Sequence, residues 1–82
     1  MMAGFDYHAP AELFPSRSKK ANRPMGYRRF ATAAAGIQFA IEQMPTELFL
    51  GAILEVNEQR FGSDEIRKLY ESDRYPLMRH RP

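Results

Sequence analysis

Among its 82 residues the chain has no cysteine and no tryptophan. Without thiols there is no disulfide, no thiolate metal site and no cysteine nucleophile. Small secreted domains of this length lean on disulfides, so the lack of them points to a reducing, cytoplasmic setting. No apolar run approaches the roughly 18 residues of a membrane span, and a membrane partner is not expected. The opening Met1-Met2-Ala3-Gly4-Phe5-Asp6 has no basic leader or apolar stretch, so it does not read as a signal peptide. Glycines 4, 26, 36, 51 and 62 are scattered, which leaves no glycine-rich phosphate loop. Histidine is confined to His8 and His80, near opposite termini, where neither is expected to be held within reach of a nucleophile. Asp6 and His8 stand two apart, short of the three or four ligands a zinc site needs. Ser63-Asp64-Glu65 reads as a helix start, and Glu55 and Glu58 as solvated residues flanking a turn. The chain is therefore read as non-enzymatic, with no catalytic, cofactor-binding or metal-binding residue expected.

What is present is a charge step. Six cations (Arg17, Lys19, Lys20, Arg23, Arg28, Arg29) fall between positions 17 and 29 without an acid. Four acids (Glu42, Glu47, Glu55, Glu58) then fall between 31 and 58 without a cation. The formal charge of +2 thus divides into six cations against two acids over residues 1–30, and six against eight over 31–82. A local cluster of this kind says more about partners than the net value does.

The chain is 44% hydrophobic and 27% charged, too apolar for a disordered polymer and long enough for one domain. At this size folding buries only about 60–65% of the unfolded surface, so a few kcal/mol of stability is expected. Association with a partner or a second copy would then add useful burial.

Four regions follow from the pattern. Residues 1–15, with Phe5, Tyr7, Leu13 and Phe14 around Pro10 and before Pro15, form an arm expected to dock in part, with a short edge strand at 11–14. Residues 16–25 read as a flexible basic loop. Residues 26–76 form a single α+β domain, and 77–82 a basic tail. Gly26 to Phe30 suits a strand with Arg28 and Phe30 on one face and Tyr27 and Arg29 on the other. Thr32 is a suitable N-cap and Pro45 a stop for a helix whose stripe is Ala33, Ile37, Ala40, Ile41 and Met44. Gly36 inside it suggests close approach of another backbone.

Leu48 to Val56 reads as a buried strand, with Leu50, Ala52, Leu54 and Val56 on one face and Phe49, Gly51 and Ile53 on the other. A helix from Thr46 to Phe61, ended by Gly62, remains open, because periodicity does not separate the two in so apolar a run. Asn57-Glu58-Gln59 would turn the strand back toward Arg60-Phe61. Ser63 is expected to cap a last helix with Ile66, Leu69 and Tyr70 on its stripe, ending near Ser72 or Asp73. The sum is an α+β fold in the order β-β-α-β-(β)-α: a small, mostly antiparallel sheet of three or four short strands with two helices on one face.

Two places could carry function. In the segment 17–29, six cations with Tyr27 among them and Phe30 just after could track a phosphate backbone while an aromatic stacks on a base. Six phosphate contacts would give a salt slope of about −5. No RNA- or DNA-binding motif accompanies the cations, and a solvated loop is the plainer reading. The second place is Phe39, about 200° around the first helix from Ile37 and on the side of Ala35, Glu42, Gln38 and Gln43. Three placements are open: cover by the sheet and the N-terminal arm, an interface, or simple exposure. The preferred function is a cytoplasmic module that binds a protein partner or itself through Phe39, Ala35 and Glu42 or through a strand edge, with the basic loop steering. Nucleic-acid binding by Arg17, Lys19, Lys20, Arg23, Tyr27, Arg28 and Arg29 is the alternative.

Overall fold

Burial alternates along Ala11-Glu12-Leu13-Phe14 and Ile53-Leu54-Glu55-Val56, so each strand buries one face and leaves the other half-exposed. The computed structural model describes residues 5–16 and 26–78. The basic stretch with Arg17, Lys19, Lys20 and Arg23 and the tail from residue 79 onward lie outside the described residues. The elements are β1 (Ala11–Phe14), β2 (Arg28–Phe30), α1 (Ala33–Glu42), α2 (Thr46–Phe49), β3 (Ile53–Val56), β4 (Gln59–Phe61) and α3 (Ser63–Glu71). All strand pairs are antiparallel and the sheet order is β2-β1-β3-β4. The α+β architecture expected from the sequence is therefore present.

The segment 11–14 is not an edge strand, as expected, but an inner one. Ala11 and Leu13 are buried, and their register partners Val56 and Leu54 on β3 are buried with them. Pairing on both sides lets these four share one apolar layer beneath α1. Upstream, Ala33 and Ala34 N–H groups donate to the carbonyls of Ala9 (2.6 Å) and Tyr7 (2.9 Å), which ties the chain before β1 to the start of α1.

Helix α1 begins as the sequence indicates, with Thr32 Oγ1 accepting the Ala35 N–H at 3.2 Å. Its sheet-facing residues are small (Ala33, Ala34, Gly36, Ala40 around Ile37), so the helix sits close to the strands. At Gly36 the close approach comes from side chains rather than from another backbone. A Cβ there would lie 3.2 Å from both Leu54 Cδ1 and Phe30 Cδ2. The helix closes with Gln43 and Met44 N–H groups both donating to the Phe39 carbonyl.

The expected strand from Leu48 is shorter and starts at Ile53. Before it, Pro45, with φ −58°, opens the single turn α2; its carbonyl accepts the Leu48 and Phe49 N–H groups at 3.0 Å each. One turn of helix puts Leu48 and Phe49 both into the core, where alternation would have expelled one of them. It leaves Leu50 62% exposed, off the face predicted for it. At Gly51 a Cβ would come within 2.6 Å of Ser16 Oγ, so glycine lets the end of β1 pass close by.

Strands β3 and β4 are joined by the two-residue turn Asn57-Glu58, with φ of 52° and 65°, the type I′ pattern that matches hairpin twist. The N-cap of α3 is Gly62 rather than Ser63. The Gly62 N–H donates to Glu65 Oε1 at 3.0 Å and its carbonyl accepts the Ile66 N–H at 2.8 Å, the acid-at-N3 half of a capping box. The Ser63 hydroxyl instead donates to the Leu50 carbonyl at 3.1 Å, pinning α3 to the turn after α2.

Both long helices share the inner side of the sheet: α1 crosses β1, β2 and β3, and α3 lies beside α1 and against β4. Leu13, Ile37, Leu54 and Ile66 are fully buried between these layers, and each contributes about 1.5–3 kcal/mol over exposure.

Candidate functional site

Strand β2 is where the two candidate features meet. Among the described residues it is an outer strand of the sheet, paired to β1 and to no other strand. Its alternation sends Arg28 and Phe30 inward and Arg29 outward, opposite Glu12 in register.

On the inner side, the Phe30 and Phe39 rings meet at 5.6 Å between centroids, tilted by 42°. The Arg28 guanidinium carbon stands 4.5 Å from the Phe39 centroid and 5.6 Å from that of Phe30. Phe39 is therefore half-buried against Phe30 and Arg28 of its own chain's β2. Such an exposed cation–π contact is worth about 0.5–1 kcal/mol, so the cover is light. Ala35, one turn before Phe39, is also half-buried and continues this ledge. Glu42 belongs elsewhere: it accepts the Tyr70 hydroxyl at 2.6 Å, a tie between α1 and α3.

On the outer side, register places Arg29, Glu12, Glu55 and Arg60 in one row across the four strands. Arg29 Nε lies 3.6 Å from Glu12 Oε2, and Arg60 Nε 3.7 Å from Glu55 Oε1. Pairs this exposed contribute about 0–1 kcal/mol. The Arg29 side chain keeps 74% of its surface in solvent. Tyr27 stacks on Phe14 (5.2 Å, 28°) and its hydroxyl donates to Glu12 Oε2 at 3.0 Å. Partial desolvation, then the hydrogen bond and charge of Glu12, raise the Tyr27 phenol above its ordinary value, with Arg29 opposing.

Of the predicted site residues, Arg28, Arg29, Phe39 and Ala35 come together at β2 and the flank of α1, while Tyr27 sits on the outer face beside Arg29. The contact of Arg28 with Phe39 was not foreseen, although a strand placing Arg28 and Phe30 on one face beside a helix carrying Phe39 held the signal. Among the described residues no polar or charged residue is buried, and no group of three or more His, Asp or Glu could hold a metal ion. No helix among them is long and apolar enough to cross a membrane. No protein-family model, curated protein or solved structure matches the chain.

Proposed function

We propose that this chain is a non-enzymatic interaction module of a reducing compartment, and that it docks a partner protein along the outer edge of β2. The observation that carries this reading is the coincidence of a sheet edge with a half-buried aromatic ledge (Phe30 and Phe39, roofed by Arg28). An edge strand offers backbone donors and acceptors, and an adjoining apolar ledge offers side-chain pockets; together they suit an added strand. Self-association through this edge is the weaker version. Antiparallel pairing of β2 with a second β2 would set arginines against arginines, and like charges directly opposite are destabilising. Pairing β2 with β4 meets the same obstacle at Arg60.

Sedimentation velocity at tens of micromolar is expected to show a monomer. Selection from a peptide-display library on the immobilised full chain is expected to enrich extended sequences that lose binding to Phe39→Asp, with circular dichroism confirming that the variant is folded. Binders indifferent to that change, or an enriched pool with no binders, would overturn the reading.

Polyanion binding draws support from exposed Tyr27 and Arg29, but Glu12 and Glu55 in the same outer row would repel phosphates. Oligonucleotide binding at low salt with a steep negative salt slope would favour it.

A further inference from the structure

We infer that the occupant of the β2 edge is an extended peptide segment in which acidic and apolar residues alternate. The inference rests on the docking reading above and specifies its partner. On a strand added beside β2, successive side chains would fall alternately on the two faces of the sheet. Its outward residues would lie beside Arg29, whose side chain is 74% exposed. Glu12 leaves that guanidinium only loosely held, at 3.6 Å through Nε, so a second carboxylate can share it. Its inward residues would lie over Phe30 and Phe39 beside the Arg28 stem, where an apolar side chain gains burial.

The same charges select against other occupants. A basic strand would face Arg28 and Arg29, as would a second copy of this edge. A nucleic acid lacks the backbone ladder that an edge strand offers and would meet Glu12 and Glu55 on the outer face. Arginines on a short edge strand are also a known protection against aggregation. Edge protection and acidic docking differ in one respect: only docking requires the arginines to attract as well as repel.

The test uses the full chain and three labelled, C-terminally amidated seven-residue probes in fluorescence anisotropy at low salt: Ac-EVEVEVE-NH2, the zero-net-charge Ac-EVKVEVK-NH2, and Ac-KVKVKVK-NH2. The acidic probe is expected to bind, to weaken as salt rises, and to exceed the mixed probe by about tenfold, with the basic probe silent. Arg29→Glu is expected to weaken the acidic probe by at least about tenfold and to strengthen the basic one, a gain that misfolding would not produce. Equal binding of acidic and mixed probes, sensitive to Phe39→Asp, would sink the acid preference and leave edge docking standing. No binding by either would sink both. An oligothymidylate that displaces the acidic probe at lower concentration would replace the peptide with a polyanion.

Discussion

The two flanks of α1 carry aromatic clusters of opposite character. On the α3 side, Phe61, Phe5, Tyr7, Tyr75 and Tyr70 form a continuous chain of ring contacts with centroids 4.8–5.9 Å apart. Each tyrosine hydroxyl there has a partner: Tyr7 donates to the Leu69 carbonyl, Tyr75 to the Ala34 carbonyl and Tyr70 to Glu42. On the β2 side, Phe30 and Phe39 have no hydroxyl, are half-buried and are roofed by the Arg28 guanidinium. The first cluster uses aromatics to close the fold, because buried rings with satisfied hydroxyls fix the layers in one arrangement. The second is covered by a group that can swing away at a cost of about 1 kcal/mol. Aromatic content alone does not mark an interface; the chemistry of what covers the rings does.

This contrast breaks most readily at the level of stability. Tyr75→Ala, which removes a ring 7% exposed and its hydrogen bond, is expected to cost about 3–5 kcal/mol. That is a large share of the stability expected of a domain of this size. Phe39→Ala should cost only about 1–2 kcal/mol, since a half-buried ring has less to lose. Urea denaturation of the two variants checks the difference, and equal losses would erase the distinction between closed and open clusters. Tyr70→Phe separates hydroxyl from ring. It should cost about 1–2 kcal/mol by taking a partner from Glu42, and the same measurement applies.

Smaller effects sharpen the comparison away from the core. Glu58 holds φ 65° in the hairpin turn, a conformation in which a side chain is strained. Glu58→Gly is expected to stabilise by about 0.5–1 kcal/mol, read as a rise in Tm, without touching either cluster. The smallest effect concerns Tyr27. Its phenol is raised in the folded chain, so the neutral form is the favoured one. The stability it contributes is present below the ordinary tyrosine value of about 10 and is lost as pH rises through the folded value. Wild type should therefore lose stability more steeply above pH 10 than Tyr27→Phe, and Glu12→Gln should bring the phenol down in an ultraviolet titration.

Much of this was legible from local chemistry. Thr32 and Pro45 bounded α1, the alternation at Arg28–Phe30 assigned its faces, and Asn57-Glu58-Gln59 marked the turn, of which Gln59 already belongs to β4. The errors fell where apolar density outran periodicity. Leu48 and Phe49 are adjacent and both buried, a requirement that one helical turn satisfies and a strand does not, yet the composition of 48–56 favoured a strand. The inner position of β1 was hidden for another reason: whether a strand is flanked on both sides depends on β3, some forty residues later, and no local signal carries that. At the candidate site, sequence identified Phe39 and the arginines separately. Their meeting at one edge needed the pairing of β1 with β2, which brings Arg28 over the exposed flank of α1. Glu42 shared a helix face with Phe39 on paper, but Tyr70 of α3 draws it into the opposite seam.

The most direct test of an open β2 edge beside a closed tyrosine cluster is amide-resolved NMR of the full chain during titration with the alternating acidic peptide. The largest shifts are expected at Arg28, Arg29 and Phe30, extending to Ala35 and Phe39, with Tyr7, Tyr70 and Tyr75 unmoved. Shifts centred on the tyrosine cluster or on the Phe14–Tyr27 stack, or none at all, would contradict it.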